Sequence, residues 1–223
     1  MIDYLKDRNW LKEDFRVLDI GCGPGSYALE MAKYTKEVVG IDLSDKMIEF
    51  GKENMKKFGQ SNVSLETMDW EELNVEEKGW AKAFDLAFAS MSPALNTEES
   101  IDKMNLVSRK YCYASGFIDR KEPLADELHQ EIFGTPREKQ SHNRMYRAFY
   151  TLVDKGYHPE MKHLAMHQVK DWTLEQAWIF YKGIMKLDDD HKPLFMEYVQ
   201  KRRDRGVKEY FDATVGIMTW SVD

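Results

Sequence analysis

The sequence has only 2 cysteines in 223 residues, Cys22 and Cys112. Two distant thiols build neither a disulfide framework nor a sulfur-rich metal site. A reducing, cytoplasmic setting is the expectation that follows. No run approaches the ~20 apolar residues needed to span a bilayer, and the first residues lack the charged-then-apolar pattern of a secretory leader. Positive charge is also in short supply. The 32 Lys and Arg face 39 Asp and Glu, leaving a formal net charge of −7, which argues against a chain that grips nucleic acid or anionic membrane mainly by charge. His163 and His167 fall on one face of an expected strand but lie about 13 Å apart at ~3.3 Å per residue, so one metal ion cannot bridge them. No metal is expected. Repeats, low-complexity tracts and linkers are absent too, and the length suits a single domain over residues 1–223.

What is present begins at Arg16. Val17, Leu18 and Ile20 form the short apolar run of a strand buried on both faces. Gly21-Cys22-Gly23-Pro24-Gly25 follows, and then Tyr27, Ala28, Leu29, Met31 and Ala32 at helical spacing. Glycines let a backbone turn sharply and let a ligand approach without meeting a Cβ. The next helix aims its unpaired N–H groups at the loop. Asp19, inside the strand end, would repel a pyrophosphate but suits an ammonium. Position 26, where a dinucleotide fingerprint wants its third glycine, is Ser26. The loop therefore fits an aminoacyl-nucleoside better than a dinucleotide.

The rest of the chain repeats that rhythm. Residues 2–12 read as a short amphipathic helix. Residues 37–42, 63–68, 84–90 and 110–118 read as strands, separated by helices over about 45–58 (capped by Ser44, stopped by Gly59) and 97–109. Strands alternating with helices imply βαβ units and a mostly parallel, doubly wound α/β sheet, seven-stranded, with helices on both faces. Ligands of such sheets bind at the carboxyl ends of the strands. Asp19, Asp42, Asp69 and Ser90 all stand at such ends. Beyond Asp119 the spacing predicts helices at 122–133 and 141–156, a strand at 162–169, and a helical insertion at about 172–205. Thr173 and Gln176 open that insertion as a capping box. Two closing strands are expected at 207–211 and 214–222.

Val-Leu-Asp-Ile-Gly-Cys-Gly-Pro-Gly, with the acids at 42 and 69, resembles the class I S-adenosylmethionine-dependent methyltransferases over roughly residues 14–120. The resemblance implies a Rossmann-like fold, S-adenosyl-L-methionine as cofactor and S-adenosyl-L-homocysteine as product. It implies that Asp42 accepts both ribose hydroxyls, that Asp69 accepts from the adenine amine with Met68 and Trp70 packed on the base, and that Asp19 orients the methionyl ammonium. Trp70 suits core packing equally well. Gly21, Gly23 and Gly25 would bring backbone against the methionyl portion, while Cys22, Tyr27, Leu43, Met47 and Ser90 complete the expected cofactor contacts. Nothing basic flanks Cys22 to activate its thiol, so a small core residue is the reading for it.

The acceptor is a separate question. Members that methylate base amines carry Asn/Asp/Ser-Pro-Pro-aromatic after the fourth strand. This chain has Ser92-Pro93-Ala94-Leu95, without the aromatic that would stack a flipped base. Together with the acidic balance, this favours a small-molecule acceptor over RNA or DNA. Lys201-Arg202-Arg203 with Arg205 has the charge of a phosphate-binding patch, but such a cluster is more often a solvated helix face, and Asp204 and Glu209 partly neutralise it. Residues 121–205 are the expected acceptor side. Ser92, Pro93, Tyr146 and Tyr150 are candidate contacts, and His142 and Tyr146, four apart on one helical face, are the candidates for a base. Two other readings share the glycine loop: a nicotinamide-dependent oxidoreductase, disfavoured by Asp19, Ser26 and Asp69, and a non-catalytic cofactor-binding protein. The residues ahead of the first strand are few for a lid, which leaves open whether residue 1 is the native start.

Overall fold

A computed structural model describes residues 1–138, 144–201 and 208–223. Buried runs form β1 (Arg16–Ile20), β2 (Glu37–Asp42), β4 (Phe84–Ser90) and the centre of β5 (Ser108–Lys121), while β3 (Val63–Thr67) alternates buried and half-exposed residues. Between them lie α1 (Ile2–Asp7) ahead of β1, α2 (Ser26–Met31), α3 (Asp45–Phe58) and α4 (Glu98–Val107). Then follow α5 (Pro123–Phe133), α6 (Arg144–Asp154), β6 (Glu160–Asp171), α7 (Leu174–Met185), α8 (Lys192–Lys201) and β7 (Lys208–Ser221). The sheet order is β3-β2-β1-β4-β5-β7-β6. The pairs β1–β2, β2–β3, β1–β4 and β4–β5 are all parallel. The order reverses between β1 and β4, which is where open α/β sheets leave a crevice at their carboxyl ends.

The local signals act as their chemistry demands. The Ser44 hydroxyl accepts from the Met47 N–H to start α3, and Gly59, at φ 65°, ends it. Thr173 and Gln176 close both halves of the expected capping box. Several expectations change, and β6 runs from Glu160 to Asp171, two residues beyond its expected span at each end. Helix α1 stops at Asp7, because Asn9 turns to φ 59°, and Trp10 and Leu11 are buried from the coil that follows it. The fifth strand runs from Ser108 to Lys121, longer at both ends than its apolar centre. The two closing strands are one, since the residues between 211 and 214 carry no turn and β7 runs through them.

The backbone divides into two compact units. One comprises Met1–Gly116, Asn143–His163 and Gly216–Asp223, with a core that includes Leu5, Val17, Phe88 and Tyr113. The other comprises Phe117–His142 and Leu164–Val215, with a core built on Leu128, Trp178, Tyr181 and Phe195. No helix of the described residues is long and apolar enough to cross a membrane.

Candidate functional site

Within the first unit the loop after β1 holds Gly21, Gly23 and Gly25 at φ 73°, 53° and 78°, a backbone that side chains other than glycine rarely adopt. Gly21 has a second constraint. A Cβ there would stand 2.8 Å from Ser92 Cβ, so the turn after β4 packs directly on the glycine loop. Buried Cys22 lines the same packing, and its sulfur would meet a Cβ on Gly40 at 3.0 Å. Burial, with Asp19 and Asp42 nearby, pushes the Cys22 thiol well up, so it is a core side chain and no nucleophile at neutral pH.

The strand-end acids stand in three different states. Asp42 accepts from the Gly23 N–H at 2.8 Å and the Ser44 N–H at 2.9 Å. Each carboxylate oxygen keeps capacity for a further donor. Asp69 accepts from the Glu71 N–H at 2.8 Å and is half-buried, beside half-buried Met68. Asp19 is buried, and its Oδ2 has no hydrogen-bond partner. Burial, with Asp42 adding to it, raises the Asp19 carboxyl to about 7 against a bond from the Ala28 N–H. Asp85, at the amino end of β4, is the contrast. It is equally buried, yet Arg109, the Arg16 N–H and Lys110 all donate to it. Burial alone would raise its carboxyl, but those bonds outweigh it and hold it at about 2. One buried acid is complete in itself, and the other lacks a donor.

Apolar side chains around the loop are left in the open. Leu43, directly after Asp42, is 70% exposed, and Met47 and Met91 are 38% and 39% exposed. Trp70 is buried, with its indole N–H unpartnered. Tyr27 sits edge-on to Phe88, ring centroids 5.3 Å apart. Ser90 shares a hydrogen bond of 3.0 Å with Ser115 across the β4–β5 pair. The Met1 thioether lies 3.7 Å from Ser90 Oγ and accepts from the Tyr113 hydroxyl. A buried carboxyl lacking a donor, a carboxylate with capacity to spare, a backbone loop in glycine conformations and exposed apolar side chains are groups that could hold an aminoacyl-nucleoside.

The candidates on the acceptor side divide. Ser92 is buried, and its hydroxyl accepts from the Ala94 N–H at 3.2 Å in the 3-10 turn Pro93–Leu95. Tyr146 is exposed, its hydroxyl 3.4 Å from His163 Nε2, and Tyr150 is 64% exposed on the same helix. His142 lies outside the described residues, as do Arg202, Arg203 and Arg205 of the basic run, while Lys201 pairs with Glu197. His167 pairs with Asp212 at 2.8 Å. Sequence reasoning passed over Asn96, Ser115 and Gly116, which come together past the carboxyl end of β4, where Arg144 bonds Asn96 and packs on Gly116. The clue to them was the strand pairing that brings Ser90 opposite Ser115.

Comparison with known proteins bears on this geometry. A family described as "Methyltransferase domain" matches residues 11–177. The ribosomal protein L11 methyltransferase of Thermotoga maritima is 28% identical over 120 residues, 52% of this chain and 42% of the relative. The 23S rRNA (uracil(1939)-C(5))-methyltransferase of Aliivibrio fischeri is 42% identical over 71 residues, 32% of this chain and 16% of the relative. The chain thus spans less than half the length of either. Among solved structures, the YcgJ protein of Bacillus subtilis aligns at 16% identity with TM-score 0.65, covering 99% of this chain and 97% of that one. A SAM-dependent methyltransferase of Aquifex aeolicus aligns at 14% identity with TM-score 0.51, covering 96% and 88%.

Proposed function

We propose that this chain, which belongs to the methyltransferase-domain family, is an S-adenosylmethionine-dependent methyltransferase that methylates a small molecule. The observation that carries this reading is the turn after β4. Its Ala94 and Leu95 side chains are buried in the core, so the turn offers no aromatic on which an extruded base could stack. The net charge of −7 points the same way.

We further assign the cofactor contacts. Asp19 would take the methionyl ammonium, which supplies the donor its Oδ2 lacks. Asp42 would accept from the ribose hydroxyls with the capacity left beside its two backbone bonds. Gly21, Gly23 and Gly25 would admit the methionyl chain against the backbone, with Cys22, Tyr27 and Ser90 lining the approach. Leu43, Met47, Met68, Asp69 and Trp70 would enclose the base. When bound, the cofactor supplies a methyl group on a sulfonium that already carries its leaving group. The protein's task is then alignment: holding the acceptor atom about 3–3.5 Å from that carbon and keeping water away. A base is needed only for a protonated acceptor. Tyr113 does not suit the role, since burial pushes its phenol up.

A macromolecular acceptor is the second reading, favoured by the two relatives named above, one acting on a ribosomal protein and one on rRNA by their names. One experiment separates the two. The protein is incubated with methyl-labelled cofactor and cell extract, and the extract is fractionated into small molecules, RNA and protein. Label in the small-molecule fraction is the expected outcome. Label confined to RNA or protein overturns the small-molecule reading.

A further inference from the structure

Arg8, Arg16, Arg109, Arg120 and Arg137 each pair with a carboxylate. Among the described residues Arg144 and Arg147 do not. Arg144 is the half-buried one of the two. Its Nη1 donates to Asn96 Oδ1 at 2.8 Å, and its Nη2 would lie 3.4 Å from a Cβ on Gly116. Those neighbours locate the guanidinium. Asn96 ends the turn that presses Ser92 against Gly21. Gly116 follows Ser115, whose carbonyl accepts from the Met91 N–H at 2.9 Å and whose hydroxyl meets Ser90. The cation therefore stands just past the carboxyl end of β4, over the stretch of β5 that continues beyond the Ser90–Ser115 pair, and it bonds the turn that packs on the glycine loop.

A half-buried cation without a counter-ion is costly. Burial and the neighbouring Arg147 already hold Arg144 below the usual guanidinium range. One amide oxygen satisfies one of its five donors, and the planar fork left over matches two oxygens of a single anion. We propose that Arg144, held by Asn96 and reinforced by Arg147, anchors an oxyanion of the acceptor, a carboxylate or a phosphate ester. This inference rests on the small-molecule reading above and narrows it to anionic acceptors.

The test uses the whole chain, methyl-labelled cofactor and the small-molecule fraction of a cell extract, resolved by anion exchange. Label should appear in retained, anionic products. Phosphatase treatment then tells the two sources apart: a phosphate ester loses its retention and a carboxylate keeps it. Arg144→Gln should cut the labelling by roughly tenfold or more, the loss expected for a charge-assisted pair, while still binding S-adenosylhomocysteine as the unaltered protein does. Arg144→Lys, which keeps the charge but not the fork, should fall between the two, and it serves as the working variant if Arg144→Gln loses cofactor binding. Label in neutral or cationic small molecules, or anionic labelling that neither variant lowers, overturns the inference and leaves the small-molecule reading standing. Label in RNA or protein overturns both.

Discussion

Asp19 carries the pH dependence expected of the site. Its carboxyl is raised from the ordinary 3.8 to about 7 in the folded chain. Between those values the native state holds a proton that the unfolded state has released. The cofactor-free protein should therefore lose stability as pH rises through that window and level off above it. Binding an ammonium requires the ionised form, so S-adenosylhomocysteine should bind more tightly as pH rises, by up to roughly tenfold per unit below about 7. Calorimetry across that range checks this, and Asp19→Asn should flatten the dependence. Affinity that does not change with pH would remove Asp19 from the site. Gly21→Ala meets Ser92 at 2.8 Å and a φ of 73°. It should cost about 1–3 kcal/mol in denaturant unfolding and weaken cofactor binding with it. At this scale Asp19 was legible in the sequence, because a carboxylate inside an apolar strand end is rare enough to ask for a reason. Arg144 was not. Its significance lies in the absence of a carboxylate partner, and its contacts with Asn96 and Gly116 are invisible in a linear chain.

Among the elements, the legible ones are those whose boundaries are set by chemistry within a few residues. Ser44 and Gly59 bound α3, and Thr173 with Gln176 opens α7, because capping is local. Thr173→Ala removes the hydroxyl half of that box and leaves the backbone N–H of residue 173 donating to Gln176; it should cost about 1 kcal/mol, read as a lower urea midpoint at unchanged slope, and no shift would mean that packing alone holds the start of α7. Other elements were harder to read. Helix α1 ends early, ahead of Asn9, whose left-handed backbone stops it, and the apolar spacing of Trp10 and Leu11, which are buried from the coil beyond, masked that stop. β7 is continuous through Asp212 and Ala213, where the loss of alternation looks like a turn, because ladder pairing holds a strand through weak stretches.

At the scale of the whole chain, the strand order β3-β2-β1-β4-β5-β7-β6 places the glycine loop at the switch between β1 and β4, and the loop falls within the residues 11–177 that the methyltransferase-domain family matches. The alternation of strands and helices made the parallel half of the sheet readable from sequence. It did not reveal that the backbone divides into two units, because the division interrupts β5, β6 and β7 rather than falling in a linker. The central claim is that three strand ends of the first unit hold S-adenosylmethionine, and titration calorimetry with S-adenosylhomocysteine tests it most directly. The unaltered chain should bind one equivalent. Asp42→Ala should weaken that binding by a few kcal/mol, since it leaves ribose hydroxyls unpaired. No binding by the unaltered chain, or equal binding by Asp42→Ala, would contradict the account.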